Sequence, residues 1–297
     1  MSTSVQIGLL FAVATAFASV VGFLYKHRGA VASPEVEWRR PVSTSLGLFR
    51  SPWYVLGVGI ALIGWGFHVA ALALAPISLV QSVIAGGLVL LTVVADRLFA
   101  HSVTRREWIG VGLAAVGLAF LAATLEGTGG EAHSSYQTSR LVAFLVAVSL
   151  GAVLIGYFGQ RTHHAGVTLG AAAGLLWAAS DVAIKASSDS LGEESILLIL
   201  LSPLAFLILA YSLIGLTVSA KSLQIGKAVP VIALTSVAAN ALTIAAGPLV
   251  FEEPMPDDAL GFSIRILAFA LVISAAALTP APVRAAEAEL EPAAARA

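Results

Sequence analysis

Asp181 and Lys185 stand four residues apart in an apolar stretch, GLLWAASDVAIKAS (174–187). On a helix this spacing puts both on one face with the acid first, the favourable order for an ion pair. Two chemistries follow. Either the charges neutralise each other, or Asp181 binds a substrate or a coupling proton while Lys185 favours its charged form. His68, Gln81 and Arg265 are further polar side chains in apolar surroundings, and Asn240 with Thr243 forms a polar pair on one helical face. An unperturbed imidazole titrates near pH 6.5, roughly, which suits proton coupling; a packing hydrogen bond is the other reading of His68. Asn240 suits an interhelical hydrogen bond or a substrate contact. Arg265 either snorkels or pairs with a nearby acid.

Covalent and metal catalysis find no such footing. The chain has no HExxH, no Walker loop and no nucleophile–base pair, and His163-His164 lie in a loop without nearby carboxylates. Cysteine is absent, which excludes disulfides and thiolate sites. An enzyme is not expected, nor a bound cofactor.

The elements that must carry these residues are set by composition. Of 297 residues, 58% are hydrophobic and only 11% charged, against about 25% charged in soluble domains, and mean hydropathy is +0.93. Such a chain needs lipid as its solvent, and helices satisfy their own backbone hydrogen bonds there. The apolar runs lack the alternation of barrel strands. Net charge is −1, so nothing points to nucleic acid. The expected partners are the bilayer and a small molecule or cation.

Nine segments reach the roughly 20 residues needed to span: 5–25, 53–74, 77–96, 107–125, 141–159, 166–186, 196–217, 228–250 and 260–279. Ala75-Pro76 either ends one helix and starts the next or kinks a longer one. The first segment has no basic residue before it and reads as a retained helix, not a cleaved signal. Residues 280–297, rich in Pro, Ala and Glu, read as a disordered cytoplasmic tail. With the N-terminus outside, thirteen of the 16 basic residues fall on the inner side, which predicts N-out, C-in.

Residues 72–92 match 223–243 at a constant offset, through Leu72/Leu223, Val80/Val231 and Leu91-Thr92/Leu242-Thr243. The first helix, ending at Lys26, resembles the sixth, reaching Lys185. The expected fold is an all-α polytopic bundle of two inverted repeats, 4+1+4. Residues 1–279 form one domain: repeat one at 5–125, a linking helix at 141–159 and repeat two at 166–279. Inverted repeats meeting at a mid-membrane site are a transporter architecture.

Depth groups the polar residues. His68, Gln81, Asp181 and Arg265 each lie about five to six residues from the outer helix ends, roughly 8–9 Å in, and could line one vestibule. Asn240 falls near the midplane. Gly57, Gly59, Gly64 and Gly66 suit close helix packing, while Gly86-Gly87 and Gly247-Pro248 are candidate bends. The outer loops hold nine acids (Glu126, Glu131, Asp189, Glu193, Glu194, Glu252, Glu253, Asp257 and Asp258) against two bases, which favours a cationic or neutral substrate.

The run ALALAPISLVQSVIAGGLVLLTVVADRLF (71–99), followed by TRREWIGVGLAAVGLAFLA, resembles the drug/metabolite transporter superfamily, most closely its nine-helix NIPA-like branch. FLYKHRGA in the first helix, GLLWAASDVAIKAS in the sixth, and SLQIGKAVPVIALTS with FEEP around the eighth extend the resemblance over 5 to about 279. It implies a permease, and for the NIPA-like branch a magnesium transporter. The chain departs from the branch where an acidic residue and an Asn are expected, having Trp65 and His68. The resemblance and the residues together predict a secondary, proton-coupled permease of a bacterial cytoplasmic membrane, with magnesium as the alternative cargo.

Overall fold

Local chemistry decides where the helices begin and end. The computed structural model describes residues 2–34, 36–37, 39–86, parts of 105–121, 133–190, 195–226 and 228–278. Helix α1 (Thr3–Val31) starts behind Ser2, whose hydroxyl accepts from the Val5 amide at 3.4 Å, a Ser N-cap. A short α2 (Pro41–Leu48) follows, and α3 (Pro52–Leu74) starts with proline in its first turn, where a missing N–H is harmless. Ala75 is extended (φ −142°, ψ 158°), and α4 (Ile77–Gly86) begins after Pro76. The Ala-Pro step is therefore a break between two helices, not a kink.

The second half comprises α5 (Thr138–Gly159), α6 (Ala165–Ser187), α7 (Pro203–Ile225), α8 (Ala228–Val250) and α9 (Ala259–Leu278). All regular structure among the described residues is helical. Helices α3, α5, α6, α8 and α9 match the expected segments to within a few residues. The seventh segment does not. It was expected at 196–217, but Ile196–Leu200 forms a separate short helix and α7 runs from Pro203 to Ile225. Ser202 caps α7 by accepting from Ala205 N at 3.2 Å with Pro203 at the first position; the Ser-Pro start signal outranks the continuous apolar run. Helix α8 runs through Pro248 to Val250, so Gly247-Pro248 does not break it.

α1 lies along α3, and α6 packs against α5, α7 and α8, with α9 against α8. Small residues set the close crossings. A Cβ added to Gly57 would lie 2.8 Å from Gly22 O, and one on Gly64 would lie 2.8 Å from the Ala18 Cβ. Gly59 and Gly66 face open space, so only half of that glycine series is used for packing.

Among the described residues, four helices are long and apolar enough to cross a membrane: Pro52–Leu74, Thr138–Gly159, Ala165–Ser190 and Pro203–Ile225. In the third, 72% of the apolar window is buried, against 17–28% in the other three; α6 is thus the hub of the bundle. The others turn large apolar side chains outward, among them Leu62, Val153 and Leu209. So extensive an apolar exterior suits lipid, not water. The expected segments beyond residue 86 and through 107–125, Gly87, Glu126, Glu131, Glu193, Glu194 and the 280–297 tail lie wholly or largely outside the described residues.

Candidate functional site

The hub helix carries the one carboxylate set within its apolar length. Asp181 Oδ1 lies 2.9 Å from His68 Nε2 on α3, and Asp181 Oδ2 accepts from Gln81 Nε2 on α4 at 2.9 Å. The side chain of Asp181 is 18% exposed and that of His68 9%; Gln81 is buried. Three helices thus converge on one carboxyl group. A carboxylate can accept from both neighbours at once, Gln81 through its amide and His68 through Nε2 in the tautomer that carries hydrogen there. The other ring nitrogen, His68 Nδ1, is buried without a hydrogen-bond partner among the described residues. One turn before Asp181, Trp177 Nε1 is likewise buried without a partner.

Three of the four residues placed at one depth by counting do meet. The fourth, Arg265, is buried on α9 beside a different acid, Glu253, with which it interacts electrostatically. Arg265 and Glu253 border a small cleft with Pro76, Ser78 and His133. The ion pair between Asp181 and Lys185, one of the two expectations for these residues, is not found among the described residues. The Lys185 ammonium is fully buried and donates to Leu72 O at 2.7 Å and Ala75 O at 2.9 Å, so it grips the end of α3. Asn240 is buried on α8, and Thr243 Oγ1 donates to Ala239 O of its own helix at 2.8 Å. Neither bonds the Asp181 group. Trp65, at the position of the branch's acid, is 48% exposed and does not line it either.

Glu253 is the residue that reading the sequence placed among the outer-loop acids. It is buried, and its carboxylate accepts from the Ser78 amide at 3.3 Å and from the Ser78 hydroxyl. The chain reaches it through Glu252, which has a left-handed backbone (φ 52°) and bonds Arg140 on the surface at 2.8 Å. A left-handed non-glycine residue is uncommon and here reverses the chain after α8. Nearby, burial and the Asp189 carboxylate push the Tyr136 phenol above its ordinary range.

Among the described residues no group of three or more His, Asp and Glu side chains is placed to hold a metal ion. What the Asp181 group offers is a single carboxylate in a mostly apolar bundle, in contact with one imidazole and one amide.

No family model matches the chain, and no solved structure matches it. Among curated proteins, it is 23% identical over 273 residues to a probable magnesium transporter, NIPA9, of Arabidopsis thaliana, covering 85% of this chain and 76% of the relative. With the apolar helices, this distant relationship marks a multi-pass membrane protein related to a transporter.

Proposed function

We propose that the chain is a secondary permease for a small solute or cation, with Asp181 as the group that binds substrate or coupling ion. The observation that carries this reading is the Asp181 carboxylate, held by His68 from α3 and Gln81 from α4. An acid within a membrane helix is unfavourable by about 2.5–3.5 kcal/mol on insertion scales, and where it occurs it commonly serves an ion or proton pathway. In this reading the nine-helix, 4+1+4 inverted-repeat organisation of the drug/metabolite transporter superfamily holds, N-out and C-in. The extensive α1–α3 and α6–α7 contacts, the first pair of each half, support it. Alternating access of the halves then exposes Asp181 to each side in turn. The His68–Asp181 contact supports protons as the coupling ion, since an imidazole hydrogen-bonded to a carboxylate offers a route for proton exchange.

A second reading, magnesium as cargo, is favoured by the relationship to NIPA9. Magnesium is often held through one or two carboxylates while keeping several waters, so a single Asp181 suffices. Flux into proteoliposomes containing a magnesium indicator, with and without a pH gradient, tests both readings. Saturable entry that Asp181→Asn abolishes is the expected result. Wild-type flux and pH dependence in Asp181→Asn would remove Asp181 from the mechanism. No magnesium entry through folded protein would leave a small organic solute as the cargo.

A further inference from the structure

Pro76 leaves two helix ends open inside an apolar bundle. Its nitrogen has no hydrogen, so the Leu72 carbonyl, four residues earlier, loses the donor that a continuous helix would supply. On the other side of the break, the first amides of α4 have no acceptor in a preceding turn. Where water is scarce, unmet backbone groups of this kind are strongly unfavourable.

Both ends are closed from elsewhere in the chain. Lys185 Nζ supplies the Leu72 carbonyl with a donor at 2.7 Å and bonds Ala75 O as well. Glu253 takes the Ser78 amide and hydroxyl and so acts as an N-cap supplied by a different loop. A cation at the end of α3 and an anion at the start of α4 also match the signs that the peptide dipoles favour. Arg265 interacts with Glu253 from α9.

The break sits between the two partners of Asp181. His68 belongs to α3, before it, and Gln81 to α4, after it, while Lys185 is one turn beyond Asp181 on α6. The relative placement of α3 and α4 at Pro76 decides whether both side chains reach one carboxylate. We propose that Lys185 and Glu253 are positioning residues of the Asp181 site: by closing the two sides of the break they hold His68 and Gln81 on the same carboxyl group. This rests on the reading of Asp181 as the binding group, but it can be tested on the carboxylate itself, apart from flux.

The test is infrared spectroscopy of the full chain in bilayers, labelled with 13C-aspartate. The Asp181 carboxylate band is identified as the one missing from Asp181→Asn, and His68→Gln shows how it responds to losing a partner. Glu253→Gln and Lys185→Met are expected to displace that band and to raise the half-saturating magnesium concentration by about tenfold, the scale of support lost around an ion site. Lys185→Arg, which keeps a charged donor for the two carbonyls, is expected to leave the band in place. If Lys185→Met does not fold, Glu253→Gln and Lys185→Arg decide. A wild-type band in folded Glu253→Gln protein overturns the proposal, because a purely structural role lowers yield without altering Asp181. A displaced band in protein that carries no magnesium supports the positioning role and rejects the magnesium reading alone.

Discussion

His68 Nε2 lies 2.9 Å from Asp181 Oδ1, a contact that joins α3 to α6 across 113 positions of sequence. The other ring nitrogen, Nδ1, is buried with no hydrogen-bond partner among the described residues. The imidazole is therefore held to the site through Nε2.

Removing the imidazole therefore does two things. His68→Ala takes a charge-assisted hydrogen bond from Asp181, for which about 1.5–3 kcal/mol of stability is expected to be lost. Thermal unfolding of the solubilised protein measures it. If protons are the coupling ion and pass through this pair, the flux of His68→Gln also loses its dependence on pH. An unaltered pH profile would separate His68 from coupling.

Gly247 is the close neighbour of the Glu253 carboxylate, and a Cβ there would collide with it. The carboxylate is pinned by Ser78 and cannot easily turn aside. Gly247→Ala is expected to dislodge Glu253 from α4 and to destabilise the protein by about 1–3 kcal/mol, as overpacking does. A stability equal to the parent's would show that Glu253 is less firmly held than these contacts suggest.

The glycines of α3 and α6 divide sharply. A Cβ on Gly174 would meet Ala238 Cβ at 2.9 Å and Ala239 N at 3.1 Å, besides clashing with Thr235 O. Gly174→Leu is expected to separate α6 from α8 and to yield little folded protein by size-exclusion chromatography. Gly59→Ala and Gly66→Ala meet nothing within 4 Å. They are expected to be neutral or to stabilise by up to about 1 kcal/mol through helix propensity.

Arg140 and Glu252 make a short ion pair, but their side chains are 47% and 56% exposed. Exposed pairs contribute about 0–1 kcal/mol, so Arg140→Ala is expected to leave melting temperature and flux close to the parent's. A large loss in either would point to a role for this loop beyond its surface contact.

Counting residues from the helix ends found His68, Gln81 and Asp181, because height in a membrane is read directly from sequence position. Rotation about the helix axis is not, and Arg265, at a similar height, turned out to face Glu253 instead. Lys185 was legible as a buried charge, but the groups it bonds were not. Side-chain spacing points to Asp181, whereas the actual acceptors are backbone carbonyls, which no residue type advertises. A signal was present all the same: Pro76 deprives Leu72 of its donor, and a lysine in an apolar helix is a natural replacement. Glu253 was hidden because a carboxylate outside the helices reads as a loop charge until the left-handed Glu252 is seen to turn the chain inward. The shifted start of α7 had its own marker in Ser202-Pro203, masked by the apolar run before it.

The closing of the Pro76 break has a consequence for how the protein is made. Lys185 lies 113 and 110 positions beyond the carbonyls it bonds, and Glu253 lies 175 beyond Ser78. While a ribosome is delivering the chain, α3 and α4 enter the membrane long before either side chain exists. The first half must wait, with two raw helix ends, for the second to arrive. A fragment ending near residue 160 should accordingly be short-lived in cells and be rescued when residues 161–297 are synthesised alongside it, but not when that second piece carries both Lys185→Met and Glu253→Gln.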